Sequence, residues 1–253
     1  MPKVLDIPLY EFSIPEATNE VMIDIFRGNA KSAKLISATG AHGIITAQED
    51  PEFKKILTEF HYNLPDGMPG VWVGRLKGAR KMSRCYGPDF FRSVMRATAD
   101  KPVKHFFCGG KEGVAEELKA VCNKKFNNNS IAGTYSPPFR EMTDMEMRKL
   151  GRQIDLSGAN IVWIGLSTPK QEKFAYRLKD FTKANYIITV GAAFDFHTAK
   201  VKQAPLWMQD AGLEWLYRLL TEPKRLFKRY FKIVPLFIFY NLREATSTLF
   251  KKA

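Results

Sequence analysis

Short apolar runs that end in Gly, Ser, Thr or Pro, and then give way to segments with helical apolar spacing, recur along this chain. That rhythm belongs to strand–helix units of a parallel sheet. Residues 34–38 lead through Thr39-Gly40 into a segment running to about residue 60. Residues 103–108 lead through Gly109-Gly110 into 114–121. Residues 161–165 lead through Ser167-Thr168-Pro169 into 171–178, and 186–190 run into Gly191-Ala192. The pattern predicts an α/β fold with a Rossmann-like, doubly wound, mainly parallel sheet and no internal repeat. In such sheets ligands sit beyond the carboxyl ends of the strands, which are the loops just named.

From about Gly212 the pattern changes. In 224–234, KRLFKRYFKIV, the residues Lys224, Arg225, Lys228, Arg229 and Lys232 form one stripe; Leu226, Phe227, Tyr230, Phe231 and Val234 form the other. This is a basic amphipathic helix with an aromatic face. Two readings stand side by side: a helix packed on the core with its basic face in water, or one lying on a bilayer. The aromatic continuation over 235–240 favours the bilayer, where each Lys or Arg adds on the order of 1 kcal/mol against anionic lipid. The apolar run 233–240 is too short for the roughly 20 residues of a spanning helix, and Pro235 interrupts it. The expected organisation is an α/β core over 1–211 and a helical, membrane-associating appendage over 212–253.

Charge supports this division. The 253 residues carry a formal net charge of +13, which implies a polyanionic partner: nucleic acid, anionic lipid or phosphorylated substrate. Between residues 218 and 253 stand nine basic residues against two acidic ones, an excess that is over half of the total. No recognised nucleic-acid-reading module accompanies the stripe, so nucleic acid is not the expected partner. The 3 cysteines are an odd number without a CxxC pair, which supports neither a disulfide framework nor a zinc knuckle and fits a reducing cytosol. The opening MPKVLDIPLYEF lacks a charged region followed by an apolar one, so a cytoplasmic protein, peripheral on the inner face of the membrane, is expected.

Metal-using nucleotide-sugar enzymes need paired carboxylates, typically Asp-x-Asp, and this chain has none. Asp144-Met-Glu146 follows Thr143 and reads better as a capping box. No metal and no cofactor are expected; a diphosphate would be held by arginines or helix N-termini. Arg218 and Arg225, seven apart, can share one helix face, with Pro223 bending the path; the alternative is two exposed basic residues. In 167–172 the spacing places Thr168 as N-cap, Pro169 as first helical residue and Gln171 third. Gln171 is then a reciprocal cap, or lies where a phosphate or ribose binds. Gly109-Gly110-Lys111-Glu112-Gly113 lacks the Walker and GxGxxG spacings, so neither an ATPase nor a dinucleotide site is supported. Asp66-Gly67 is an ordinary turn or places a general base for a sugar hydroxyl. His42, His61, His105 and His197 show no metal-ligand spacing and read as structural, with His42 the most open.

The stretches PDGMPGVWVGRLKG (65–78), RCYGPDFF (84–91), CGGKEGVAEELK (108–119), IAGTYSPPF (131–139), ANIVWIGLSTPKQEKFA (159–175) and VGAAFDFHTAKVKQAPLWMQDAGLEWLYRLLTEPKRLFKRY (190–230) resemble, in this order, the TagA/WecG/CpsF family, glycosyltransferase family 26. The resemblance implies inverting, metal-independent transfer from a UDP-sugar donor to a polyprenyl-diphosphate-linked acceptor, an undecaprenyl-linked saccharide, in cell-surface polysaccharide biosynthesis. It also implies an appendage that closes the site at an anionic membrane. Under it Asp66 is the catalytic base and Arg84 steers acceptor or diphosphate. Thr39, Gln171 and Asp195 serve substrate binding, and Arg218 and Arg225 meet the diphosphate.

Two departures concern the donor and acceptor. Many members carry Thr-x-Asn at the end of the first core strand, where this chain reads Ser37-Ala38-Thr39-Gly40, and Gln203 stands where an arginine is common. N-acetylmannosamine, a glucosyl and a uronosyl cargo all fit, and a homo-oligomer stays open. The rival function is a basic membrane- or nucleic-acid-binding α/β protein without catalysis.

Overall fold

The structure, a computed structural model, describes residues 1–28 and 32–250, so Lys251 and Lys252 of the basic tail lie outside the described residues. A hairpin of β1 (Lys3–Val4) and β2 (Ile7–Pro8) precedes α1 (Ile14–Arg27), β3 (Lys34–Thr39), α2 (Ala41–Glu49), α3 (Pro51–Glu59), β4 (Tyr62–Pro65) and α4 (Met68–Leu76). There follow α5 (Gly87–Ala97), β5 (His105–Gly109), α6 (Val114–Phe126), β6 (Ile131–Tyr135), α7 (Asp144–Ser157), β7 (Ile161–Gly165), α8 (Lys170–Leu178) and β8 (Tyr186–Thr189). The chain closes with α9 (Ala193–His197), α10 (Leu206–Asp210), α11 (Glu214–Thr221) and α12 (Pro223–Phe250).

Six strands form one parallel sheet in the order β4-β3-β8-β7-β5-β6. Successive residues of a strand point to opposite faces, so each strand feeds two cores. In β7, Ile161 and Trp163 join the cluster under α1, α5, α6 and α9, while Val162 and Ile164 join the one under α3, α7 and α8. Helices therefore cover both faces, as an all-parallel sheet requires. The expected α/β, Rossmann-like architecture with a C-terminal helix is present. His105 sits inside the first core, where its Nδ1 accepts from Trp163 Nε1 at 3.1 Å and its Nε2 lies 2.9 Å from Thr98 Oγ1. Burial pushes its pKa down to about 3, so it is a neutral packing group. All three cysteines are buried and unpaired.

The segment from 41 to 60 is two helices rather than one. Asp50 Oδ1 accepts from Phe53 N at 3.0 Å and caps α3, whose first residue is Pro51; a proline inside a helix would have lost its backbone donor. β6 was not among the apolar runs because only Ile131 is buried and the rest of this edge strand is half-exposed or exposed. The capping box at α7 forms: Thr143 N donates to Glu146 Oε2 at 2.8 Å, and Glu146 N to Thr143 Oγ1 at 3.3 Å.

The C-terminal helix differs most from expectation. Pro235 lies inside α12 without ending it, and Ile233 and Phe237 pack with the hairpin, α2, α3 and α4. The single aromatic stripe divides. Leu226 is buried, Tyr230 half-buried, and Phe227 and Phe231 are 58% and 74% exposed. A period of 3.6 carries 226, 230, 233 and 237 along one line and leaves 227 and 231 on another. No described helix is long and apolar enough to cross a membrane.

Candidate active site

The strand ends meet at one cavity of about 1920 Å³. Gly40 after β3, Asp66 after β4, Gly110 after β5, Gly165 and Ser167 at the end of β7, and Gly191 after β8 line one wall; α4, α10–α11 and α12 supply the other. The strand ends approach closely. Gly109 holds φ at +142°, and a Cβ there would stand 2.5 Å from the Gly165 carbonyl oxygen.

Beneath the cavity lies a buried polar network. Ser37 Oγ, Thr168 Oγ1 and Gln171 Nε2 donate to Glu172 Oε1 at 3.1, 3.0 and 2.8 Å. Thr39 Oγ1 lies 3.0 Å from Ser37 Oγ and 3.2 Å from Asn63 Oδ1. Burial raises the pKa of Glu172, opposed by its hydrogen bonds. Thr39 is thus a buried member of the floor and does not line the cavity. Gln171 does line it, yet it is no reciprocal cap: α8 begins at Lys170, and Gln171 Oε1 accepts from Gly191 N at 3.0 Å. With Nε2 committed to Glu172, its carboxamide ties the start of α8 to the turn after β8.

Asp66 closes β4, its N–H donating to the Thr39 carbonyl at 3.2 Å. Its Oδ1 accepts from Gly87 N at 2.7 Å at the start of α5. A Cβ on Gly87 would lie 3.0 Å from the Val190 carbonyl oxygen, so glycine permits this approach. Burial pushes Asp66 up to about 6; Glu214 adds to the rise, while the Gly87 N–H, Arg84 and Arg218 oppose it. A carboxylate poised there is ionised at neutral pH and still basic enough to accept a proton in a reaction.

Arg84 stands beside Asp66 but is committed to the protein. Its guanidinium donates to Glu214 Oε2 at 2.8 Å and to Gln209 Oε1 at 2.6 Å, and stacks over Tyr86 at 4.6 Å. It therefore fastens α10 and α11 over Asp66. Asp195, on α9, lines the cavity with no side-chain hydrogen bond or ion pair among the described residues. Arg218 and Arg225 lie on two helices, not one face: Pro223 starts α12, and both arginines bond Glu222 between them, from Arg218 at 3.1 Å and from Arg225 Nε at 2.7 Å. Of the residues singled out in the sequence, Asp66, Arg84, Gln171, Asp195, Arg218 and Arg225 share this cavity, and Thr39 does not. Among the described residues no three His, Cys, Asp or Glu side chains gather as a metal-ligand set.

One face of α12 follows the cavity: Arg225, Arg229 and Tyr230, then the mainly apolar Ile233, Val234, Phe237, Ile238 and Leu242 with Asn241 among them, and Glu244 and Ala245 beyond. Trp72, Val73 and Leu76 of α4 line the same space. The cavity thus joins a charged region to an apolar groove. A family model described as glycosyl transferase WecG/TagA/CpsF family matches residues 2–250. The chain belongs to this family. As a WecG/TagA/CpsF glycosyltransferase it takes a sugar from a donor to an acceptor in polysaccharide biosynthesis. Three residues of this transferase's cavity escaped the sequence reading. Arg229 stands in the basic stripe and inside the quoted stretch 190–230 but was given no role, although it lies four residues beyond Arg225 on the same helix face. Glu214 and Trp72 sit within the quoted motifs, but their place at the cavity depends on tertiary closure.

Proposed function

We propose that this protein is an inverting, metal-independent transferase that moves N-acetylmannosamine, or a glucosyl or uronosyl residue, from a UDP-sugar to an undecaprenyl-diphosphate-linked saccharide at the inner face of the membrane. One observation carries the reading: a single cavity contains a carboxylate raised to about 6, an arginine cluster and an apolar groove. Such a set suits an acceptor hydroxyl, a diphosphate and a lipid tail at once.

In the proposed reaction the acceptor oxygen attacks the anomeric carbon as Asp66 takes the hydroxyl proton. The new C–O bond forms as the bond to the donor phosphate breaks, UDP leaves with the electron pair, and one displacement inverts the centre. Arg218 and Arg225 take up the diphosphate charge, the role a metal plays elsewhere. Arg84 holds the α10–α11 segment over Asp66, and Asp195 offers its free carboxylate to donor hydroxyls. Residues 212–253 act as the appendage of a core over 1–211. The exposed Phe227 and Phe231, stacked at 5.8 Å, support contact with a lipid surface beside the basic residues.

The test is incubation with a panel of UDP-sugars and a short-chain polyprenyl-diphosphate saccharide, with and without EDTA, followed by product mass. A product heavier by one sugar, formed equally in EDTA, is expected. No mass gain with any donor, or activity restored only by Mg²⁺ or Mn²⁺, overturns the reading.

A further inference from the structure

Three arginines crowd the start of α12, and among the described residues Glu222 is the only carboxylate that hydrogen-bonds or ion-pairs with any of them. Glu222, at the junction of α11 and α12, accepts from Arg218 through one carboxylate oxygen and from Arg225 through the other. Glu222 does not line the cavity, whereas Arg218, Arg225 and Arg229 do. Arg229 makes no hydrogen bond or ion pair among the described residues. Its pKa is lowered, first by burial and then by Arg225. The Arg218 Nε is buried and has no hydrogen-bond partner among the described residues. Three clustered cations with one hydrogen-bonded carboxylate among them repel one another, and an incoming anion relieves that repulsion.

We propose that Glu222 is a resident counter-anion: it holds Arg218 and Arg225 until a substrate diphosphate displaces it, and the unpartnered Arg229 takes the first phosphate. The inference rests on the proposed reading of the cavity as a diphosphate site. Displacement is easy because Arg225 is 51% exposed and its pair with Glu222 is screened by water. A diphosphate brings more charge and more acceptor oxygens than a carboxylate, and guanidinium forks bind such groups in two-point fashion. Glu222 has two effects on an arriving anion, competition for the arginines and like-charge repulsion, and both weaken binding. Its removal therefore tightens binding, whereas loss of a residue that merely orients the arginines would loosen it.

The experiment is calorimetric titration of the full chain with inorganic pyrophosphate, UDP and a short-chain polyprenyl diphosphate, with melting temperature followed in parallel. Glu222→Gln should bind pyrophosphate roughly three- to ten-fold more tightly than wild type, the scale of a partly exposed ion pair. Glu222→Asp, too short to span both arginines but still charged, should fall between them; it decides the matter alone if the Gln variant does not fold. Arg229→Ala should weaken pyrophosphate about ten-fold or more. The other two probes assign the source: tightening for UDP places the donor diphosphate against Glu222, and tightening for the polyprenyl diphosphate places the acceptor there. Unchanged or weaker pyrophosphate binding in folded Glu222 variants, with wild type binding normally, overturns this inference alone. Wild type that binds none of the three probes overturns the proposed function and this inference with it.

Discussion

The two walls of the cavity are built on opposite terms. Beneath the strand ends, Ser37, Thr39, Asn63, Gln171 and Glu172 are each 3% exposed or less, and their hydrogen bonds run between β3, β4 and α8. Across from them Arg218 and Arg225 bond one glutamate of their own segment, and Arg229 makes no hydrogen bond or ion pair among the described residues. A buried network whose hydrogen bonds converge on one carboxylate oxygen, Glu172 Oε1, is costly to disturb, although Glu172 Oε2 has no partner among the described residues; an exposed ion pair exchanges readily. The floor thus provides a fixed reference for reacting groups, and the C-terminal wall provides charge that a ligand can rearrange.

The largest expected effect lies where the walls meet. Asp66→Asn should lower turnover roughly 10²–10⁴-fold while leaving the fold intact. It should also stabilise the protein at pH 8. Because burial raises the Asp66 pKa to about 6, its contribution is fully present below the unfolded value and is lost as pH rises through about 6. The neutral amide avoids that loss, by about 3 kcal/mol at most. In wild type the same titration should make kcat/KM fall as pH drops through about 6. A flat profile between pH 5 and 8, or an active Asn variant, would move the base elsewhere.

Next comes the pair of arginines. Arg218→Ala with Arg225→Ala should cut kcat/KM on the order of 10–100-fold, with melting temperature nearly unchanged. The floor should respond the other way: Glu172→Ala removes the acceptor of two buried donors and one half-buried donor and should cost about 1–3 kcal/mol of unfolding free energy. Arg225→Ala alone should cost about 0.5 kcal/mol or less. Chemical denaturation of both variants checks this, and equal costs would erase the distinction between the walls. The smallest effect on a soluble acceptor analogue belongs to Phe227→Glu with Phe231→Glu, which should reduce sedimentation with anionic liposomes while activity in detergent persists. Full liposome binding by that variant would leave α12 an ordinary packed helix.

These contrasts follow what was legible beforehand. β7 and β8 are buried on both faces and read as unbroken apolar runs, so their positions, and hence the loops at their carboxyl ends, could be found from sequence. The Thr143–Glu146 box was legible because its partners are three residues apart. Thr39 was placed at a strand end, but nothing local distinguishes a hydroxyl that points into the cavity from one that turns down to Asn63. The break at Asp50-Pro51 carried its own signal, a cap followed by a first-turn proline, which the continuous apolar spacing masked. The Arg84–Glu214 bond spans 130 residues and exists only once α11 has folded back over β4, so no pattern along the chain reveals it. The resemblance supplied Arg84 and Asp195 for the same reason.

The face of α12 that runs from Arg225 to Leu242 extends about 26 Å at the rise of an α-helix. It changes from cationic to apolar along that length, and so it acts as a depth gauge. On the proposed reading, an acceptor fits only when its diphosphate and its tail lie at the matching heights, with the head group at the first two turns and the hydrocarbon below them. A free sugar phosphate would satisfy one end of the gauge, and a neutral lipid the other. Selection between a soluble and a lipid-borne acceptor is then a matter of registry along one helix, and shortening the tail should raise KM step by step until the apolar turns are empty.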